Sequence, residues 1–403
     1  MRVPHGRGGV YEFFACLDVV ALQRDSAPMD ALDEVLPGVA AQCPRVRLGD
    51  WPTPIEPLRC VDREAVYVKR EDQSSQIYGG NKIRCLETVF ARAQRRGHRR
   101  VWGLGAWGSN QAVAIALHGP RAGFETGALL FPQPASAAAA ENLVATAGAV
   151  GDLRLQRSLV QFPWAYWRVW RTRAANGDLL IPPGAATPLG ALGHLSAALE
   201  VALDVAAGTL PPPRHLVVPV GSTCTTAGLL LGLAVAHRLG LGFDVMPTIH
   251  AVRVTPWPIT AAFRIRRLAQ GAAHLLARLG GPDLTAERDW LSALDVVAGH
   301  LGWGYGRPTK GGCHAIGRFA AGGGPTLDTT YSAKGAAGLL SLLPGVDGPI
   351  LFWSTKSAAP LPKPGAGVVD RLPAPVRRWL ARGGLDVSAL PSARPVPGAD
   401  GAE

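Results

Sequence analysis

The feature that most constrains this chain is an alternation of two kinds of segment between Trp51 and Ser357. Short β-branched or aromatic runs end in small polar turns, and most are followed by a longer run with helical periodicity. "AVYVKRED" (65–72) reads as a strand. "NKIRCLETVFARAQRRG" (81–97) reads as a helix, with Ile83, Leu86 and Phe90 near one face and Gly97 as its stop. "RRVWGLG", "TGALLF", "HLVVPV", "TIHAVRVT" and "GPILFWSTKS" read as further strands, and "SNQAVAIALHG" and "AAAAENLVATAG" as helices. Strands alternating with helices of this length call for crossover connections, so an α/β fold with parallel-rich sheets is expected.

At 403 residues the chain exceeds one typical domain. The expected division is an N-terminal extension over 1–50, a larger unit over 51–86 and 201–357, a smaller α/β unit over 87–200, and a Pro/Gly/Ala-rich tail over 358–403. The tail is expected to be mobile apart from one short helix near "APVRRWLARGG". A net charge of +11 admits a nucleic-acid binder. The densest basic run, Arg92 to Arg100, instead fits a solvated helix end. "WAYWRVWRTR" (164–173) mixes arginine with aromatics; it could form an amphipathic surface helix or a partner contact, and partner or core packing suits it better than nucleic acid. The net charge also suits an acidic small ligand. The six cysteines form no C-x-x-C pair, so reduced thiols in a cytoplasmic protein are expected. "VYEFFACLDVVAL" is interrupted by Glu12 and Asp18 and is too short to span a membrane, so neither membrane nor nucleic acid is expected as a partner.

Three turns could carry chemistry. Gly103-x-Gly105-x-x-Gly108 has the spacing of a dinucleotide fingerprint but lacks the acidic residue that should follow the next strand. Gly221 to Thr226 join a strand to a helix and include Ser222, Thr223, Thr225 and Thr226. Free N–H groups there suit a phosphate, and a capped helix start is the alternative. No Gly-Lys-Ser/Thr follows, which argues against nucleotide hydrolysis. In "QIYGGNKIRCLE" (76–87), Lys82 closes a glycine turn. It is either an ordinary solvated first-turn lysine or an amine activated by burial for Schiff-base chemistry. A phosphate cup and such a lysine on one α/β frame suggest pyridoxal 5′-phosphate (PLP).

The order of "VKRED", "GGNKIRCLE", "GSNQAVAIALHG", "VVPVGSTCTTAGLLLG", "WGYGRPTKGG", "LDTTYSAKGAAGLL" and "ILFWSTKS" resembles the fold-type-II PLP-dependent enzymes. Within them it is most similar to the 1-aminocyclopropane-1-carboxylate (ACC) deaminase / D-cysteine desulfhydrase family. The resemblance implies a two-domain, tryptophan synthase beta-like architecture and a homodimer. It implies that Lys82 is the Schiff-base lysine and that Asn110 bonds the cofactor's 3′-oxygen. Ser109, Asn110 and Gln111 would surround the substrate carboxylate, and Gly221, Ser222, Thr223, Cys224, Thr225 and Thr226 would hold the phosphate. Tyr305 and Tyr331 would line the site, and Ser332 would face the pyridine nitrogen. A hydroxyl there, in place of the glutamate expected of ACC deaminases, ranks β-elimination from a small amino acid above ring opening or β-replacement. The sequence departs from the family pattern in three places. Cys85 stands where a phosphate-binding lysine is frequent, Thr223 and Cys224 replace two loop glycines, and Ser354-Thr355-Lys356-Ser357 replaces His-Thr-Gly-Gly. A PLP-binding protein without turnover is the reading to which these departures point.

Overall fold

A computed structural model of the protein describes residues 30–386. Its strands are β1 (Ile55–Pro57), β2 (Val66–Lys69), β3 (Arg100–Ala106), β4 (Glu125–Phe131), β5 (Asp152–Leu155), β6 (Asp178–Ile181), β7 (His215–Val220), β8 (Thr248–Arg253), β9 (Leu294–Val297) and β10 (Ile350–Trp353). They form two sheets, ordered β1-β2-β10-β7-β8-β9 and β5-β4-β3-β6. Every pairing is parallel except β1 with β2. The fold is therefore the expected α/β class with parallel-rich sheets.

The helices are α1 (Ala31–Val35), α2 (Pro37–Gln42), α3 (Lys82–Arg95), α4 (Asn110–His118), α5 (Ala137–Ala149), α6 (Phe162–Asn176), α7 (Pro188–Ala206), α8 (Cys224–Arg238), α9 (Ala262–Arg278), α10 (Lys310–Ala321), α11 (Ser332–Leu342) and α12 (Ala374–Arg382). Helix α3 begins at Lys82, and its face of Ile83, Leu86 and Phe90 is fully buried. Gly97 closes it in the left-handed region at φ +67°, where a Cβ is strained. Helix α7 is long and apolar enough to cross a membrane, yet most of it is buried in the protein. It packs on α3, α8 and α9 as a core helix.

A buried charge network fixes the root of α3. Arg84 stacks on the Trp51 ring at 3.7 Å and donates to both Glu71 oxygens at 2.7 and 2.8 Å, and to Glu200 at 2.8 Å. Lys69 on β2 bonds the same Glu200 oxygen at 2.6 Å. One network thus joins β2, α3 and α7, and the site lysine stands two residues from Arg84.

The ends differ from expectation. Residues 30–50 join the main core through Leu32 and Val39, and Ser196 donates to Asp30 at 2.7 Å. The stretch 358–386, expected to be mobile outside its short helix, is packed on the smaller sheet. Val369, Leu372, Val376 and Leu380 share a core with Leu130 and Leu143. Trp379 sits edge-on to Trp107 at 5.2 Å and donates from Nε1 to the Gln133 carbonyl at 2.6 Å. Apolar residues spaced along a proline-rich segment are thus enough to dock it. Helix α6 keeps Trp164, Trp167 and Trp170 exposed and buries only Val169. It lies at the surface, as one reading of its composition has it, and these tryptophans do not pack into the core, as the other reading requires.

Candidate active site

Parallel strands place their following loops at one end of each sheet, and the expected site residues collect there. Lys82 is the first residue of α3. The preceding turn is held to the end of β10, with Asn81 N donating to Thr355 O at 3.2 Å and Gly79 N to Ser357 Oγ at 2.9 Å. Gly80 lies at φ +89°, and a Cβ there would meet Thr355 O at 2.6 Å. Only glycine permits this contact, so the turn fixes where Lys82 emerges. The Lys82 amine makes no hydrogen bond or ion pair with the described residues.

The 221–226 loop lies between β7 and α8. Helix α8 has no side-chain cap, and Thr223 leads into it at φ +74°. Its first N–H groups therefore lack the partner that a capped start would supply. Asn81 Nδ2 donates to Thr225 Oγ1 at 2.7 Å, joining the starts of α3 and α8. Thr225 also contacts His194 Nε2 at 3.3 Å, and burial pulls that imidazole below its ordinary range. Thr226 Oγ1 is buried without a partner. Cys224 points away from the loop, donating to Ala185 O at 3.2 Å. Cys85 is fully buried behind Lys82 and donates to its carbonyl at 3.0 Å. A short buried thiol is thus found where a reaching ammonium was the family pattern.

Ser109 caps α4, its hydroxyl accepting from Ala112 N at 3.3 Å. Asn110 Oδ1 accepts from Tyr78 OH at 3.0 Å and from Asn142 Nδ2 at 2.7 Å. These two donors fix the amide, leaving Asn110 Nδ2 as a donor without a partner among the described residues. Gln111 is different: its Nε2 donates to Pro182 O at 2.9 Å, and its Oε1 accepts from Gly184 N. Both ends of its side chain are committed to the 182–184 loop, so only its backbone faces the helix start. The Gly103-x-Gly105-x-x-Gly108 stretch is β3 and its exit, leading into this same α4 start.

Tyr305 and Tyr331 share a hydroxyl–hydroxyl hydrogen bond, and a Cβ on Gly221 would lie 3.0 Å from the Tyr331 ring. Burial pushes the Tyr331 hydroxyl well above its ordinary range and the Tyr305 hydroxyl up to about 12. Both hold their protons at neutral pH. Ser332 is fully buried, and its hydroxyl donates to Asp328 Oδ1 and accepts from Asp328 N, both at 2.7 Å. Its proton is committed to Asp328 rather than pointed into the cleft.

Sequence reasoning passed over Asp328, which accepts from the N–H groups of Thr330, Tyr331 and Ser332 at 2.9 Å each. An aspartate followed by Thr-Thr-Tyr-Ser before a helix was the available signal. Tyr78 and Asn142, which orient Asn110, carried no local signal. Lys334 donates to Leu301 O at 2.9 Å and Gly304 O at 3.1 Å, pinning the loop that carries Tyr305. Burial lowers this amine to about 8.

This frame and this cluster define an α/β enzyme with a lysine beside an uncapped helix start. The chain belongs to the pyridoxal-phosphate dependent enzyme family, which it matches over residues 46–355. Among curated proteins it is 35% identical to nocardicin C-9′ epimerase of Nocardia uniformis subsp. tsuyamanensis, over 78% of this chain and 93% of that protein. It is 32% identical to D-cysteine desulfhydrase of Salmonella choleraesuis (strain SC-B67), over 79% and 95%. Among solved structures it is similar to an ACC deaminase homologue, with a TM-score of 0.64 and 26% identity over 82% of this chain and 95% of that one. O-ureido-L-serine synthase shares the fold at a TM-score of 0.52 and 19% identity, over 76% of this chain and 88% of that one. The protein is thus a PLP-dependent enzyme related to D-cysteine desulfhydrase and ACC deaminase homologues.

Proposed function

We propose that Lys82 holds the cofactor covalently through its amine and that the enzyme removes the Cα proton of a small amino acid. β-Elimination then expels the β-substituent, sulfide in the case of D-cysteine, and water hydrolyses the unsaturated amine to a 2-oxo acid and ammonia, as in a D-cysteine desulfhydrase. The observation that carries this reading is the uncapped start of α8, tied by Asn81 to the turn that presents Lys82. A phosphate would satisfy the orphan N–H groups and the buried Thr226 hydroxyl together. The residues present therefore fit the cofactor: Gly221 to Thr226 would hold its phosphate, and Asn110 Nδ2 would bond its ring oxygen. When bound, PLP supplies an electron sink for the pair left on Cα.

The other roles belong to this chain. The start of α4, with Ser109 and the N–H groups of Asn110 and Gln111, orients a carboxylate. The Lys82 amine, once released from the cofactor, is placed to take the Cα proton as general base. The Tyr305–Tyr331 pair keeps its protons and suits protonation of a leaving group. In this reading two protomers associate.

The test is to assay D-cysteine, β-chloroalanine and ACC side by side for 2-oxo acid release by the PLP-loaded protein. Release from the first two with sulfide or chloride as co-product supports the reading. Release from ACC alone refutes β-elimination. A second reading is Cα epimerisation, which the 35% identical epimerase favours. Loss of optical purity without 2-oxo acid would support it instead.

A further inference from the structure

We propose that Lys356 is a second acid–base residue of this cleft, serving the face of the substrate Cα that Lys82 does not reach, and that it gives the enzyme a Cα-inversion activity. The proposal rests on the reading of Lys82 given above. Lys356 follows β10, and its neighbours Thr355 and Ser357 are the residues that hold the 79–81 turn. The two lysines therefore rise from one junction, one from the end of a strand and one from the start of a helix.

The Lys356 ammonium stands 5.3 Å from the centroid of the Tyr78 ring. The hydroxyl of that ring donates to Asn110 at 3.0 Å, on the side where α4 starts. Lys356 is half-buried and forms no ion pair with the described residues. The carboxylates of Asp328 and Glu141 reach it only through space, and Asp328 is already committed to three N–H groups and the Ser332 hydroxyl. Burial pulls the amine below its ordinary range against the pull of Asp328. A half-buried amine with a ring contact but no ion pair among the described residues is a poor stabiliser, and an apolar residue of similar length would serve packing better.

The other proton carriers near the cleft suit the task less well. Tyr305 and Tyr331 are both pushed upward, so they stay protonated at neutral pH and offer no base there. Inversion in both directions needs a group that works as acid and as base, and an amine with lowered proton affinity does so. In one direction the neutral Lys82 amine takes the Cα proton and becomes an ammonium. The electron pair of the broken C–H bond stays with the bound substrate. The Lys356 ammonium then gives its proton to the opposite face of Cα, forming the new C–H bond, and becomes neutral. The reverse direction exchanges the two roles. No oxidant or co-reactant is consumed, and solvent restores the starting protonation.

The experiment uses the PLP-loaded enzyme with D-alanine and L-alanine in D2O, because alanine has no β-leaving group and cannot be eliminated. The wild type is expected to place deuterium at Cα and to convert each enantiomer into the other. Lys356→Ala and Lys356→Met are expected to keep the visible absorbance band and Cα exchange from one enantiomer. Inversion in them should fall by about 10²-fold or more. A second readout is independent of turnover. Acetylation rates against pH should give Lys356 a midpoint below the ordinary lysine range. Undiminished inversion in the Lys356 variants, or exchange without inversion in the wild type, would overturn the proposal. A protein with neither absorbance band nor exchange sinks the Lys82 reading itself, an outcome distinct from failure at Lys356.

Discussion

Replacing Arg84 by methionine tests whether the buried charge network holds the root of α3. The substitution removes a guanidinium that donates to Glu71 at 2.7 and 2.8 Å and to Glu200 at 2.8 Å, and that stacks on Trp51 at 3.7 Å. Two buried carboxylates are then left with Lys69 as their one close cation. Breaking a buried ion pair from one side costs about 3–5 kcal/mol, because the remaining charge is uncompensated. With a urea dependence of about 3 kcal/mol per molar, the unfolding midpoint should fall by about 1–1.7 M.

The loss should also depend on pH. In the wild type, burial raises the Glu71 carboxyl, but Arg84 and Lys69 outweigh it and hold the group below its ordinary range. Its contribution is therefore present above the unfolded pKa and lost as pH falls through the folded one. Without Arg84, burial wins and the folded pKa rises, so folding takes up a proton. The deficit then grows as pH rises from the ordinary carboxylate range through the raised folded pKa. Introducing Arg84→Met into a Glu200→Gln background should cost at least about 1 kcal/mol less, since one stranded carboxylate is gone. A loss below about 1 kcal/mol, or full additivity with Glu200→Gln, would refute the argument.

Three further outcomes are expected. Glu87 is fully enclosed and accepts from Leu48 N, Gly49 N and Trp51 Nε1, yet burial raises its pKa to about 7. Stability should fall as pH rises from the ordinary carboxylate range through about 7, and Glu87→Gln should flatten that dependence in thermal unfolding scans. Thr226→Val keeps the shape of the α8 start but removes the partnerless hydroxyl, so it should weaken PLP binding about tenfold in an absorbance titration while leaving the fold intact. Tyr331→Phe removes the hydrogen bond to Tyr305 and should lower the rate of 2-oxo acid formation by about 10²-fold with little change in the absorbance of the holoenzyme.

The parallel framework was legible because strand-like and helix-like periods alternate cleanly, and the α3 boundary was legible because Gly97 and the Gly79-Gly80 turn punctuate it. Lys82 and Thr225 were legible as turn chemistry before a helix, whereas Asn110 and Tyr331 were legible only through the resemblance to the PLP-dependent enzymes. Side-chain commitments were not. Gln111 turns to the 182–184 backbone, and Ser332 turns to Asp328, because nearby carbonyl, N–H and carboxylate partners satisfy buried polar atoms. Such choices depend on loops distant in sequence or on the geometry of one turn. Docking of 358–386 was missed for a related reason. Its apolar residues follow no strand or helix period, and their partner surface on α5 and β4 is known only once the smaller sheet exists.

The central claim is that Lys82 carries the cofactor, and it is tested most directly by chemical trapping. The PLP-loaded protein is reduced with borohydride, digested and mapped by mass spectrometry. The account predicts a pyridoxyl group on Lys82 in the peptide that holds "GGNKIR", with no label on Lys356. A label on Lys356, on another lysine, or on none would contradict it.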